Sequence, residues 1–211
     1  MLRGTRIIDS DDAKKFVNTI ASFRRVLDEN GIEEVIFPSI WEAETFDAKL
    51  GQEKETQIWR FKDRKDRSCC LIPEVTALAQ QTWREKWRFT KPDPFRLFYV
   101  QRCYRYERPQ AGRYREFTQF GLEIMGSRPS DYAEEARSLL LACIGSVGLE
   151  YVFEPSVRRG ISYYVSDGFE VLCPNLGAQK QVAGGGVYPE GVGWAIGVDR
   201  VVLALGNTLK D

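Results

Sequence analysis

Two stretches of the chain carry apolar residues at helical spacing and are predicted to form amphipathic helices. In the first, Ser10 or Asp11 is expected to cap the beginning and Gly31 to end the helix. Its apolar stripe consists of Ala13, Phe16, Val17, Ile20, Phe23 and Leu27. The second helix runs from Asp131 to about Val147. Its buried stripe consists of Ala136, Leu139, Leu140 and Cys143. Shorter helices are predicted at residues 42–50 and 75–87 and near the end of the chain.

Short runs of β-branched and aromatic residues between the helices indicate strands. The run EVIF at residues 34–37 is expected to be a strand that Pro38 stops, and WRFKD and SCCLI, within residues 59–72, a pair of strands. Hairpins rather than regular crossover helices join the strands, which favours a mostly antiparallel sheet flanked by helices. The predicted fold class is therefore α+β, in a single domain that spans residues 1–211.

The segment YRYERPQAGRYREFTQFGLE, residues 104–123, says most about function. If both of its ends are strands, Arg105 and Glu107 share one face, because side chains alternate across a sheet. The same alternation gathers Phe117, Gln119, Gly121 and Glu123 on one face. The opposite face carries Phe120, Leu122 and Ile124 and is suited to packing. A turn containing Pro109 and Gly112 delivers further arginines to the same place: Arg108, Arg113 and Arg115.

Such a cluster of arginines beside carboxylates and an aromatic ring is suited to hold a polyphosphate, a base and an amine. The alternative for this segment is a solvent-exposed ladder of ion pairs on a hairpin.

The composition restricts the class of protein. Hydrophobic residues make up 43% and charged residues 28%, as in ordinary globular chains. The 30 basic residues balance the 30 acidic ones, so no overall basic field attracts nucleic acid. The five cysteines are odd in number and lack C-x-x-C spacing, so neither a zinc site nor a disulfide framework is favoured, and a reducing cytoplasm is the expected setting. No apolar run reaches the roughly 18 residues of a membrane span. The lack of histidine excludes an imidazole base or metal ligand.

Residues 104–123 resemble motif 2 of class II aminoacyl-tRNA synthetases, and specifically the R-x-E-R-P-Q-x-G-R-x-R-x-F pattern of the histidyl branch. VRRGISYY at residues 157–164 resembles the second histidine-specific motif of that branch, and GWAIGVDRVVLAL at residues 193–205 resembles class II motif 3. Nearer the start, Leu2-Arg3-Gly4 resembles the opening of the family. EVIFPSI resembles its motif 1, and IPEVT resembles its R-P-E-G-T. Because the order is that of the family, the resemblance implies the class II catalytic-core fold.

The resemblance implies amino-acid activation, in which a carboxylate attacks the α-phosphorus of ATP to give an aminoacyl adenylate and pyrophosphate. Two anions must approach each other, so fixed positive charge is needed at the transition state. If the roles of the matching family residues apply here, Arg105 would hold the α-phosphate and Arg113 the γ-phosphate. Arg200 would cover the other face of the nucleotide. Glu107 would read the adenine amino edge and Phe117 would stack on the base. Mg²⁺ would bridge the phosphates without a metal site of the protein's own.

Histidine is the amino acid that the resemblance implies. Glu74, Thr76 and Gln119 match the receptors for the α-amino group, where a carboxylate and neutral acceptors suit an ammonium. Glu123 and Tyr164 match the pair that binds both imidazole nitrogens. The alternative for these two is a buried ion-pair carboxylate and a core aromatic ring.

Two further residues belong to the implied histidine site. Arg159 matches an arginine beside the reacting carboxylate and the α-phosphate, and it joins Arg105 and Arg200 as an implied catalytic residue. The alternative is an ordinary surface arginine. Tyr163 lies next to Tyr164 and is expected to pack in the pocket rather than to contact the ligand directly.

The chain also departs from the family pattern. Ile72, Val75 and Ser162 stand where arginine, glycine and aspartate are usual. Gly186 falls on the arginine of the family's G-G-R-Y, which displaces Tyr188 by one position. The insertion after motif 2 is reduced to one helix, and no anticodon-binding domain is expected after motif 3.

Three functions remain open at this point. The first is an enzyme that activates histidine and passes it to tRNA or another acceptor. The second is a non-catalytic histidine-binding regulator similar to the synthetase-like subunit of ATP phosphoribosyltransferase, although such regulators tend to lose the motif 2 arginines that are kept here. The third is a nucleic-acid-binding or scaffolding module on the same fold. By analogy, motif 1 predicts a homodimer, with the acceptor end of tRNA as a candidate partner.

Overall fold

Ten strands and six helices are described in the computed structural model, which covers residues 1–47, 56–157, 165, 168–177 and 179–208. The helices are α1 (Ser10–Glu29), α2 (Glu44–Asp47), α3 (Thr76–Thr82), α4 (Arg88–Thr90), α5 (Ala133–Ser146) and α6 (Val198–Thr208). A π-helical turn, Trp83–Trp87, joins α3 to α4, and a 3-10 turn, Pro129–Tyr132, precedes α5. The strands are β1 (Glu33–Glu34), β2 (Ile40–Glu42), β3 (Trp59–Lys62), β4 (Ser68–Leu71), β5 (Phe95–Tyr104), β6 (Glu116–Met125), β7 (Val152–Val157), β8 (Gly168–Leu172), β9 (Gln181–Tyr188) and β10 (Gly191–Gly197).

These strands form two sheets. The large sheet has the order β1-β5-β6-β10-β9-β8-β7, and β1 with β5 is the single parallel pair among its described strands. The small sheet has the order β2-β4-β3 and is antiparallel throughout its described length. The prediction of an α+β fold with a mostly antiparallel sheet flanked by helices is therefore confirmed.

Two apolar cores lie on opposite faces of the large sheet. One contains Phe120, Leu122 and Ile124 of β6 together with the buried stripes of α1, α5 and α6. The other contains Tyr99 of β5, Tyr188 of β9 and apolar residues of α2, α3 and the small sheet. Since both faces are covered, the polar residues that alternate with Phe120 and Leu122 are enclosed and need partners inside the protein.

The β5–β6 hairpin is longer than its neighbours and positions the site. Its strands pair without a break from Phe95 with Met125 to Tyr104 with Glu116. The assumption that the first strand continues through Arg105 and Glu107 is wrong, because β5 ends at Tyr104. Beyond that point the backbone N–H of Tyr106 donates to the carbonyl of Gln57 (2.7 Å), outside the hairpin ladder.

The predicted helices are largely confirmed. The whole predicted stripe of α5 is buried: Ala136, Leu139, Leu140 and Cys143. The helix predicted at residues 75–87 forms and extends through the π-helical turn to Thr90. In α1, Asp9 rather than Ser10 or Asp11 occupies the capping position, and Gly31 follows the helix with a φ of +70°, which glycine adopts without strain.

Two local predictions are wrong. Val17 is 64% exposed, since the buried stripe of α1 runs through Phe16, Thr19, Phe23 and Leu27 instead. The strand predicted at residues 34–37 is only Glu33–Glu34, and Ile36 beyond it is 89% exposed. The β3–β4 pair is confirmed, and the predicted helix at residues 42–50 is α2, whose last predicted positions lie outside the described residues. Over the described helices, none is both long and apolar enough to cross a membrane.

Candidate active site

A cavity of about 270 Å³ lies where the β5–β6 hairpin ends, beside the first turn of α6. Its lining includes eight of the residues singled out from the sequence: Glu74, Thr76, Arg105, Glu107, Arg113, Phe117, Gln119 and Arg200. These residues come from the start of α3, the hairpin and its loop, and α6, which are far apart in the chain. The fold therefore brings charged groups from three regions of the chain to one cavity.

The hairpin loop supplies two of the three arginines. The Nε of Arg105 donates a hydrogen bond to the carbonyl of Pro73 (2.9 Å), and its guanidinium lies 5.0 Å from the ring centroid of Phe117. Arg113 pairs with Glu107, whose Oε2 lies 2.9 Å from the Arg113 Nε. The side chain of Arg105 is 25% exposed and that of Arg113 is 37% exposed, so both stay accessible to a ligand in the cavity.

Arg200 is held more firmly than the other two. Its Nε donates to the carbonyl of Gly112 (3.0 Å) and its Nη1 to the carbonyl of Gln181 (2.7 Å). Its Nη2 donates to Oε1 of Gln179 (2.9 Å). Burial lowers the pKa of Arg200, and the neighbouring charges of Arg113 and Arg105 lower it further. Three like charges are thus held close together, an arrangement that favours binding of an anion.

Another part of the cavity lining is polar and acidic. Glu74 accepts hydrogen bonds from the backbone N–H groups of Thr76 (3.0 Å) and Ala77 (2.9 Å), which orients its carboxylate at the start of α3. The Oε1 of Gln119 accepts a hydrogen bond from the thiol of Cys103 (3.3 Å). Each of these oxygen atoms has a second lone pair, so both residues can still accept from a ligand amine.

Glu123 lies beneath this part and is fully buried, so it does not line the cavity itself. The hydroxyl of Thr76 donates to its Oε1 (2.6 Å), and the hydroxyl of Tyr188 donates to its Oε2. Burial raises the pKa of Glu123 to about 8, although both hydrogen bonds act to lower it. Both of these hydrogen-bond partners are neutral hydroxyl groups. Among the described residues, the hydrogen bonds of Glu123 therefore do not support the alternative that it is a buried ion-pair partner.

Several lining residues were not predicted from the sequence: Tyr114, Gln179, Gln181 and Asp199. Asp199 is buried and accepts hydrogen bonds from Arg6 and from the backbone N–H of Thr118, both at 2.7 Å. The sequence did offer one signal for Asp199, because it directly precedes Arg200 in the segment that resembles motif 3. Tyr188, which is displaced by one position from the family pattern, was not predicted as a site residue, yet its hydroxyl reaches Glu123.

The remaining predicted positions either lie outside the described residues or do not line the cavity. Arg159, Tyr163 and Tyr164 lie outside the described residues. Arg108 is exposed and does not line the cavity. Arg115 donates from Nε to the carbonyl of Glu107 (3.2 Å) and thereby holds the loop rather than the cavity wall.

The family model described as Histidyl-tRNA synthetase matches residues 4–153, well over half of the chain. The chain belongs to the histidyl-tRNA synthetase family. The histidine-tRNA ligase of Natranaerobius thermophilus is 26% identical over 309 residues, which covers 96% of this chain and 73% of that protein. The histidine-tRNA ligase of Methanosarcina acetivorans is 36% identical over 201 residues, with coverage of 85% and 48%. Because the first alignment is longer than the 211-residue chain, that relative has internal segments that this chain lacks.

Solved structures agree on the fold. The apo histidyl-tRNA synthetase of S. aureus superposes with a TM-score of 0.80 at 24% identity, covering 100% of this chain and 71% of that one. A histidine-tRNA ligase subunit from Alicyclobacillus acidocaldarius gives 0.83 at 16% identity, with coverage of 100% and 98%. A Bacillus halodurans ATP phosphoribosyltransferase regulatory subunit/histidyl-tRNA synthetase gives 0.80 at 15%, with coverage of 96% and 82%. The class II synthetase catalytic-core fold is confirmed.

Proposed function

We propose that the chain binds ATP and histidine in this cavity and joins them as histidyl-adenylate, with release of pyrophosphate. One observation carries the proposal: the guanidinium groups of Arg105, Arg113 and Arg200 converge on the cavity that also contains Glu74 and Gln119. The first group suits a triphosphate and the second an ammonium, so both substrates have matching partners. The similarity to histidine-tRNA ligases supports the same chemistry.

At the nucleotide end, the reaction concentrates negative charge around the α-phosphorus as the histidine carboxylate attacks it. Arg105 is the proposed contact for the α-phosphate, and Arg113 and Arg200 are the proposed contacts for the rest of the triphosphate. Hydrogen bonds to Gly112, Gln181 and Gln179 already hold Arg200, so little reorganisation is required when charge develops. Phe117 would stack on the adenine, and Glu107 would accept from its amino group.

At the amino-acid end, Glu74, Thr76 and Gln119 would receive the α-ammonium group of histidine. Glu123 would form the polar floor under the imidazole. Because its pKa lies at about 8, Glu123 is mostly neutral at pH 7, so the floor under the imidazole would carry little charge. Three further roles rest on the resemblance alone. Tyr164 would be the second partner of the imidazole and Tyr163 its packing neighbour. Arg159 would lie beside the reacting groups.

Magnesium fits this site as an ion carried by the triphosphate. The carboxylates that line the cavity already have partners: Glu74 accepts backbone N–H groups, Glu107 pairs with Arg113, and Asp199 pairs with Arg6. Mg²⁺ is usually held largely by substrate phosphates and water, so the oxygens of the triphosphate would supply most of its ligands here. When bound, it neutralises charge on the phosphate oxygens.

The deciding experiment is ATP–pyrophosphate exchange with the full chain, with histidine and without it. We expect exchange that depends on histidine and is not supported by other amino acids. Histidine binding without exchange would instead support a regulatory protein. This alternative is considered because the fold is also similar to the Bacillus halodurans protein named as an ATP phosphoribosyltransferase regulatory subunit/histidyl-tRNA synthetase. If calorimetry detects neither histidine nor ATP binding, both functions are contradicted.

The oligomeric state, like the reaction, is inferred from the resemblance to the family. We propose a homodimer through the segment resembling motif 1, where Ile36 is 89% and Ile40 is 53% exposed. Apolar side chains exposed to this extent are candidates for burial in an interface. The acceptor end of tRNA is the proposed recipient of the activated histidine. Light scattering tests the dimer, and a mass equal to one chain at micromolar concentration would contradict it.

A further inference from the structure

The N-terminal segment has no role in the proposed function, yet it crosses the β5–β6 loop. The carbonyl of Gly4 accepts a hydrogen bond from the backbone N–H of Arg115 (2.7 Å). Gly4 has a φ of +88°, and a side chain there would come within 2.9 Å of Arg115 and Pro109. Only glycine allows so close an approach in this conformation. The segment resembling the family's opening therefore rests directly on the loop that carries Arg105 and Arg113.

This crossing places Arg6 behind the wall of the cavity. The Nη2 of Arg6 lies 2.7 Å from Oδ1 of Asp199, and its guanidinium lies 4.3 Å from the ring centroid of Tyr114. Asp199 and Tyr114 both line the cavity, whereas Arg6 does not. The second oxygen of Asp199 accepts the backbone N–H of Thr118 at 2.7 Å. Arg6 thus contacts two parts of the wall at once.

The charges of the lining show why this contact matters for an anionic ligand. Among the described residues, three arginines and three carboxylates line the cavity, so their formal charges cancel. Asp199 is buried next to Arg200, where an uncompensated carboxylate would repel phosphate groups. The Arg6 guanidinium offsets that charge from outside the cavity. Without Arg6, the net charge seen by a polyphosphate would be less positive by one.

We propose that Arg6 is a positioning residue for the nucleotide: it neutralises Asp199 and braces Tyr114, so that the arginines beside them present an undiminished positive surface to the triphosphate. This inference rests on the proposed ATP-binding function. Arg6 acts through Asp199 and Tyr114 and does not touch the substrate, so its loss affects ATP and leaves histidine binding unchanged.

The test compares Arg6→Gln with Arg3→Gln in the full chain. Arg3 is exposed on the same segment, so its variant removes an equal charge without the contacts of Arg6. We expect Arg6→Gln to raise the Kd for Mg·ATP in calorimetry, and the KM for ATP in exchange, by about tenfold or more. The KM for histidine is expected to stay within about twofold, and Arg3→Gln is expected to match the unmodified chain.

Asp199→Asn supplies a second arm should Arg6→Gln fail to fold, because it removes the buried carboxylate that Arg6→Gln would leave without its ion-pair partner. Once the carboxylate is neutral, Arg6 has little left to offset, so the double variant is expected to bind Mg·ATP about as well as Asp199→Asn alone. A further tenfold loss in the double variant, equal changes in the KM values of ATP and histidine, or equal ATP affinities of Arg6→Gln and Arg3→Gln would each overturn the proposal. An unmodified chain that binds no ATP contradicts the proposed function as well, whereas ATP binding that is unaffected by Arg6→Gln contradicts the role of Arg6 alone.

Discussion

The proposed nucleotide site carries three arginines whose side chains remain partly accessible, whereas the floor of the proposed histidine site carries one carboxyl group, Glu123, that is fully buried. The arginines come from a loop and a helix, and carbonyl and amide oxygens hold Arg200 in place. Glu123 comes from the middle of β6 and is surrounded by hydroxyl groups. The arginines are suited to attract a charged ligand, whereas the floor that contains Glu123 is suited to lie under a neutral one.

The two regions also tolerate change differently. A partly exposed charge can be removed without leaving a void, so its loss is expected to appear in activity. A buried carboxyl in a closely packed floor contributes through packing and protonation, so changes around it are expected to appear in stability.

Arg105→Gln is expected to produce the largest effect. If Arg105 makes the proposed contact to the α-phosphate, its removal should lower histidine-dependent exchange by about 100-fold or more, while the free energy of unfolding changes little. Arg102→Gln is the matched control, because Arg102 lies on the same hairpin with its side chain 46% exposed and does not line the cavity. Similar exchange rates for the two variants would remove the distinction between the two regions.

Gly193→Ala tests the packing of the floor. A Cβ at this position would lie 1.8 Å from Oε2 of Glu123 and 2.6 Å from the carbonyl of Leu122, so either the strand or the carboxyl must shift. We expect a loss of about 3 kcal/mol in the free energy of unfolding, measured with urea. Gly145→Ala in α5 has no atom within 4 Å of the added Cβ and is expected to gain up to about 1 kcal/mol. Equal stabilities of the two variants would contradict a closely packed floor.

Glu123→Gln tests protonation of the floor through its pH dependence. The pKa of Glu123 is about 8 in the folded chain, above its ordinary value of 4.5, so the folded state binds a proton that the unfolded state has already released. The unmodified chain should therefore lose stability as pH rises from about 4.5 to about 8, by at most about 1.4 kcal/mol per pH unit, and no further above that range. Urea unfolding at several pH values should show this slope reduced in Glu123→Gln. A slope that is the same in both chains would show that Glu123 is ionised in the fold.

Arg96→Gln should have the smallest effect. Arg96 lies on β5 away from the cavity and forms a two-pronged ion pair with Glu135, at 2.6 and 2.9 Å, with both side chains about one third exposed. Its loss is expected to cost about 0.5 kcal/mol of stability and to leave exchange unchanged. A fall in exchange comparable to that of Arg105→Gln would show that positive charge anywhere on the hairpin supports activity.

Much of the fold was predictable because its signals are local. Alternation along β6 identifies Phe120 and Leu122 as core residues, and helical periodicity identifies the buried stripe of α5. The errors occur where local pattern is ambiguous. Val17 adjoins Phe16 on the helix surface, and only the packing of α1 against the sheet decides which of the two is buried.

The charged residues of the candidate site were predictable by type and spacing, but their partners were not. Tyr188 reaches Glu123 across 65 positions of the chain, and Arg6 reaches Asp199 across 193. Such contacts depend on the strand order β6-β10-β9 and on the crossing of the N-terminal segment over the hairpin loop. No periodicity within a single element reports them.

By itself, the amino-acid sequence determined the α+β class, the hairpin with one polar face, and the arginines that suit an anionic ligand. The tertiary structure alone decided that these arginines share a cavity with Glu74, that Glu123 lies beneath that cavity in a hydroxyl-lined floor, and that Arg6 offsets the charge of Asp199. The physical reason is that side-chain periodicity records which face of an element is buried, whereas charge compensation and hydrogen bonding depend on which distant elements that face meets.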